Sequence, residues 1–117
     1  MIKIKAVQEN PKVGDIKGNT ALIEKYLASA DKEKIDLLIF SEMFLSGYPP
    51  EDLVMRDDFL DEITKSIDYL TCLTKETSLV FGAPIKKDGF LYNAAICASE
   101  GNLLAVSYTH LRAHETR

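Results

Sequence analysis

The stretch from Asp36 to Leu53, reading DLLIFSEMFLSGYPPEDL, limits what this chain can fold into more than any other. It opens with four apolar residues in a row, Leu37-Leu38-Ile39-Phe40. A run of that length suits a buried strand better than a helix. A carboxylate, Glu42, follows at the strand's carboxyl end. Beyond it, Gly47 and the pair Pro49-Pro50 take the chain out of regular structure, because proline continues neither a ladder nor a helix. An acid at the carboxyl end of a buried strand, followed by a rigid loop, is a common layout for an α/β active site. On the pattern alone the plainer reading is that Glu42 marks where the strand reaches water.

The rest of the chain supplies the elements around this strand. Ile2, Ile4 and Ala6 alternate with Lys3, Lys5 and Val7, a strand pattern. Pro11 and Gly14 break the chain, and Asp15 is placed to cap a helix by accepting backbone N–H bonds from its first turn. Residues 20–34 read as that helix, with Leu22, Ile23, Tyr26, Leu27 and Ala30 on one face and most charges elsewhere. Residues 36–42 form the next strand, and strand–helix–strand order favours a parallel pair with a crossover helix. Asp57-Asp58 favours a second helix start. Phe59, Leu60, Ile63, Ile67, Leu70 and Leu73 give that helix its apolar face, which fades near Glu76. Residues 78–85 and 91–98 read as strands joined by Lys86-Lys87-Asp88-Gly89, whose Asp-Gly pair is a hairpin signal. Glu100-Gly101-Asn102 turns the chain into Leu103-Leu104.

Composition excludes several classes. At 117 residues the chain holds one domain at most. With 14 basic and 18 acidic residues and no basic stripe, nucleic-acid binding is not expected. No apolar stretch approaches a membrane span, and Met1-Ile2-Lys3 does not open a signal peptide. Two cysteines without a Cys-x-x-Cys pair fit a reduced, cytoplasmic protein. Cys72 falls off the main apolar face of the second helix, and Cys97 lies in the small-residue strand Ala94-Ala95-Ile96-Cys97-Ala98; both read as structural. Lys86-Lys87 is a hairpin tip, and the sequence has no Gly-rich phosphate loop.

Two segments carry a family resemblance. Ile39-Phe40-Ser41-Glu42-Met43 with Ser46-Gly47-Tyr48-Pro49-Pro50-Glu51-Asp52-Leu53 resembles the first catalytic motif of the nitrilase (carbon–nitrogen hydrolase) superfamily. The Gly-Tyr-Pro-Pro-Glu-Asp-Leu continuation resembles one branch, the N-terminal glutaminase domains of glutamine-dependent NAD synthetases. Lys3 to Gln8, Asn10 to Ile16 and Gly18-Asn19 resemble that branch's first strand and loop. The likeness covers about residues 2–105, with Ser41 standing where the family usually has proline.

The resemblance implies an α/β fold, the N-terminal part of a nitrilase-like four-layer α-β-β-α sandwich whose oligomers bury one helix layer. Domains of this kind are more than twice as long, so residues 1–105 are expected to be a truncated glutaminase domain. The implied chemistry is a Glu-Lys-Cys triad that hydrolyses an amide. Glu42 matches the catalytic acid, which takes the thiol proton and returns it to departing ammonia. The lysine, which would stabilise the oxyanion, follows the strand beginning near Leu103. No residue here matches it, and the cysteine lies further on, so the chain alone is expected to be inactive. Tyr48 either lines the glutamine pocket or packs against Pro49 and Pro50. The parent would hydrolyse glutamine and pass ammonia to a synthetase domain, missing here, that amidates deamido-NAD with ATP and Mg²⁺. No cofactor is expected in this part, and the full-length parent is expected to be a homo-oligomer. A stand-alone amidase of the same superfamily, or a non-catalytic truncated product, is the alternative.

The last twelve residues stand apart. Val106 to Thr116, VSYTHLRAHET, looks like a translated sequencing adapter, so residues 106–117 are expected to be a non-native tail. His110 and His114, four apart, would on a helix form a weak metal motif. In such a tail they are an accident.

Overall fold

A computed structural model describes residues 1–110 of the chain. In order, the elements are β1 (Ile4–Ala6), α1 (Ile16–Lys32), β2 (Leu37–Ile39), a short 3₁₀ helix (Glu51–Met55), α2 (Asp57–Leu73), β3 (Ser78–Lys87), β4 (Phe90–Ser99) and β5 (Asn102–His110). The strands form one sheet in sequence order, β1-β2-β3-β4-β5. β1, β2 and β3 run parallel, with Ile4 opposite Leu37 and Leu37 opposite Ser78. β3, β4 and β5 run antiparallel.

The strand–helix–strand order explains the layering. Two parallel connections that step the same way along a sheet put both helices on one face when each crossover has the usual right hand. The helices do pack against each other, and α2 packs on β3. Between helices and sheet lies one core: Ile23, Leu27 and Ala30 from α1, Ile63, Ile67 and Leu70 from α2, and Leu38, Leu79, Phe81, Ala83, Ala94 and Ile96 from the strands. Alternation then fixes the opposite face, because successive strand side chains point to opposite sides. Val80 and Gly82 of β3 and Asn93, Ala95 and Cys97 of β4 therefore face away from the helices. Ala95 is exposed there, in mid-strand.

Element boundaries moved for local reasons. α1 starts at Ile16, four residues before the expected Thr20, because Asp15 caps it: the Gly18 N–H donates to Asp15 Oδ1 at 3.0 Å. Gly18 and Asn19 are weak helix formers that hide this first turn from propensity. β2 pairs only over Leu37–Ile39, although the Phe40 N–H still donates to the Val80 carbonyl at 2.8 Å. Both antiparallel connections are two-residue turns with left-handed φ throughout: Asp88 (52°) and Gly89 (83°), then Glu100 (51°) and Gly101 (77°). Such turns match the twist of the strands they join.

β5 continues through His110, and so includes the start of the segment expected to be non-native. A backbone ladder accepts any sequence of good strand formers, and Val106, Tyr108 and Thr109 are such residues. Residues 111–117, His114 among them, lie outside the described residues.

Candidate active site

Two loops meet at the carboxyl edge of the parallel strands, one after β1 (residues 7–15) and one after β2 (residues 40–50). Asn19, buried at the start of α1, ties them together. Its Nδ2 donates to the carbonyls of Lys12 (2.9 Å) and Leu45 (3.1 Å), and its Oδ1 accepts the Lys12 N–H (3.0 Å). The Gly14 N–H adds a bond to the Ser46 carbonyl at 2.9 Å. Ser46, fully buried, uses its hydroxyl inside its own turn, donating toward the carbonyls of Met43 (3.2 Å) and Gly47 (3.0 Å). Gly47 has φ of 80°, and a Cβ there would sit 2.6 Å from Val13 Cα. Only glycine lets the loops approach this closely.

Glu42 is presented by the same construction. Met43 takes a left-handed φ of 55° and buries its side chain completely. The chain thus turns sharply just after the acid, and Glu42 itself stays exposed. Beneath the turn runs β3 at Gly82, where a Cβ would lie 2.4 Å from Met43 N and 3.0 Å from Glu42 Cα. The Leu45 N–H donates to the Gly82 carbonyl at 3.0 Å. From β4, Asn93 Nδ2 donates to Glu42 Oε1.

Glu42 lines two neighbouring cavities. One, of about 300 Å³, lies over the helix-free face and is also lined by Ser41, Gly82, Asn93, Ala95, Ser107 and Thr109. Its last two residues belong to the segment expected to be non-native. The other, of about 400 Å³, lies between the loops and is lined by Glu9, Asn10, Pro11, Ser41, Glu42 and Tyr48. Tyr48 is therefore brought to the same cavity as Glu42; the residue is 54% exposed, close in sequence to a buried Pro50. Behind this loop Tyr26 donates its hydroxyl to Glu9 Oε2. That bond, aided by burial and by the Glu9 charge, pushes the Tyr26 phenol above its ordinary range.

The two cysteines lie elsewhere. Cys72 is exposed on α2, and Cys97 is half-buried on β4; neither lines a cavity with Glu42. The described residues include no cluster of three or more His, Cys, Asp or Glu able to hold a metal ion. What the arrangement offers is a carboxylate with one oxygen held by an amide, at the mouth of a loop-lined crevice. Asn93 and Gly82 escaped sequence reasoning, and Asn19 entered it only as part of the resemblance, without a role. Gly82 did carry a signal, since a glycine inside a strand often marks a close backbone approach. Asn93 lies 51 residues from its partner, and nothing local pointed to it.

A carboxylate at the carboxyl edge of parallel strands, beneath a loop-lined crevice, defines an α/β domain that places its chemistry at its strand ends. The chain belongs to the carbon-nitrogen hydrolase family, which matches it over residues 3–116. It is similar to the glutamine-dependent NAD(+) synthetase of Thermotoga maritima, at 37% identity over 106 residues, covering 90% of this chain and 18% of that protein. Among solved structures, a glutamine-dependent NAD(+) synthetase from Cytophaga hutchinsonii superposes with a TM-score of 0.88 at 20% identity, over 94% of this chain and 19% of that one. An amidase from Nesterenkonia sp. superposes with a TM-score of 0.79 at 23% identity, over 92% of this chain and 42% of that one. These two likenesses define the fold. The helix layer and sheet described above are the N-terminal part of a nitrilase-like four-layer α-β-β-α sandwich. The chain spans about a fifth of the length of the synthetases it matches.

Proposed function

We propose that this chain is the N-terminal part of the glutamine amidohydrolase domain of a glutamine-dependent NAD synthetase. The observation that carries this reading is the position of Glu42: an acid at the carboxyl edge of the parallel strands, on a loop whose sequence resembles that branch's motif. Glu42 acts as general base toward a cysteine thiol and then as general acid toward departing ammonia. The cysteine, and the lysine that stabilises the oxyanion, come from the part of the protein beyond these residues, so the isolated chain is inactive. Tyr48 lines the glutamine pocket. Ammonia released here serves the synthetase domain, where ATP and Mg²⁺ support amidation of deamido-NAD. The full-length protein works in the cytoplasm as a homo-oligomer.

Residues 1–105 are the native portion of this domain, and residues 106–117 are a foreign tail. Independent genomic reads across the Ala105 codon test that boundary. Reads that continue natively through Tyr108-Thr109-His110 would overturn it.

The functional test is Glu42→Gln in the full-length protein, which keeps the shape and removes the base. Glutamine-dependent NAD synthesis should fall by at least about a hundredfold. Synthesis from added ammonium should survive, because it bypasses this site. Near-normal use of glutamine by the variant would refute the role of Glu42.

A further inference from the structure

We propose that Asn93 is the positioning residue of this site, holding the Glu42 carboxylate by one oxygen so that the other is free to take and return the proton. The inference rests on the reading of Glu42 given above and adds to it a residue from a different part of the fold.

Glu42 lies on a loop and is exposed, so its side chain would by itself sample several rotamers, and fixing it costs rotamer freedom. A general base needs one orientation. The Asn93 amide supplies it by donating from Nδ2 to Oε1 of Glu42. An amide suits this task because it is neutral. It orients the carboxylate without cancelling its charge, and it has no proton of its own to exchange at working pH.

Asn93 is itself well anchored. It sits in mid-strand on β4, opposite Pro84 of β3. Groups carried on strands are held more precisely than groups on loops. By alternation it faces away from the helices, over the cavity of about 300 Å³ that Glu42 also lines. Gly82 completes the device: its missing side chain lets the Glu42–Met43 backbone settle against β3, one strand from Asn93, where a Cβ would come within 2.4 Å of Met43 N. The loop thus delivers the acid, and the antiparallel ladder aims it.

The test uses the full-length protein and compares Asn93→Ala, which removes the donor, with Asn93→Asp, which keeps the shape but turns a carboxylate toward Glu42. Steady-state glutamine hydrolysis, ammonium-dependent synthesis and thermal midpoint are measured for each, with Glu42→Gln alongside. The expected result is a fall in kcat of about 10- to 100-fold for Asn93→Ala, with KM changed by less than about threefold. Asn93→Asp should fall further, while both variants keep ammonium-dependent synthesis and the wild-type midpoint. The proposal is overturned if either variant keeps wild-type kcat, if Asn93→Asp equals or exceeds Asn93→Ala, or if the losses follow a lowered midpoint. If Asn93 variants are normal while Glu42→Gln is inactive, only this inference fails. If Glu42→Gln is itself normal, the functional reading beneath it fails.

Discussion

The parallel and antiparallel halves of the sheet are built by opposite means. β1 and β2 pair over three residues each, and their ends are held by distant groups: Asn19 on two loops, Gly14 on Ser46, Leu45 on Gly82. β3, β4 and β5 pair over ladders of nine and eight residue pairs and close through two-residue turns that any isolated hairpin would use. The first half is short, looped and held together by bonds between distant residues, one set from the Asn19 side chain and the rest from backbone. The second is long and held by its own ladder, with one register shift between Cys97 and Ala98. The candidate site lies where they meet, with Glu42 from the first and Asn93 and Gly82 from the second. A loop held at several points contributes the reacting group, and the antiparallel ladder contributes its orientation. This division makes the consequences of glycine and amide substitutions differ sharply between the halves.

Gly82→Ala should have the largest effect on stability. The added methyl would meet backbone atoms of Glu42 and Met43, which cannot rotate away. We expect a loss of about 3 kcal/mol, the upper end of the overpacking range, together with loss of glutamine hydrolysis. Denaturant unfolding and activity of the full-length protein check it. A variant with wild-type stability would show that the junction of the two halves is looser than described.

Asn19→Ala should come next, at about 2 kcal/mol, because a buried amide that satisfies one N–H and two carbonyls of the loops is lost. Amide hydrogen exchange should quicken in residues 10–15 and 43–47 and remain unchanged in β4. Uniform quickening across both halves would argue against a loop-specific clasp.

Gly89→Ala probes the regular half. Gly89 has φ of 83° but nothing within 4 Å of a Cβ, so only backbone strain is added. The cost should be about 1 kcal/mol. Glutamine hydrolysis should be untouched. An effect as large as that of Gly82→Ala would mean that strain at this turn spreads into the ladder and is not confined to Gly89.

Legibility in the sequence follows the same division. The hairpin at Asp88-Gly89, the apolar face of α2 and the cap at Asp15 are written in neighbouring residues, and the structure has all three. The parallel order of β1 and β2 followed from the intervening helix. At the site, Glu42 stood out only because the residues around it resemble a family motif; its run of apolar neighbours equally described a strand reaching water. Asn93, Gly82 and Asn19 act across 51, about 40 and 26 residues of chain, and no periodicity reports such a contact. Loops that must be held by distant partners are the part of this molecule that local pattern cannot describe.

The smallest expected effect is electrostatic and lies in the helix layer, away from both halves' shared site. The Ser29 hydroxyl, donating at 2.9 Å, and then the Lys5 ammonium hold Glu33 below the ordinary carboxylate range. The hydrogen bonds and charge of Arg56 do the same for Asp58 at the start of α2. A carboxylate whose pKa is depressed by folding binds protons more weakly in the native state than in the unfolded state. Its contribution is therefore complete above the unfolded pKa, near 4, and is lost as pH falls through the lower folded value. Both groups are exposed and their ion pairs are screened by salt, so the contribution is modest. The double variant Glu33→Gln, Asp58→Asn should lose less thermal stability than wild type between about pH 5 and pH 3, and the difference should shrink in high salt. Glutamine hydrolysis at neutral pH should be the same in both. Identical pH slopes for the two proteins would remove these pairs from the account of the helix layer. A change in hydrolysis would show that the helix layer, and not the strand junction alone, governs the orientation of Glu42.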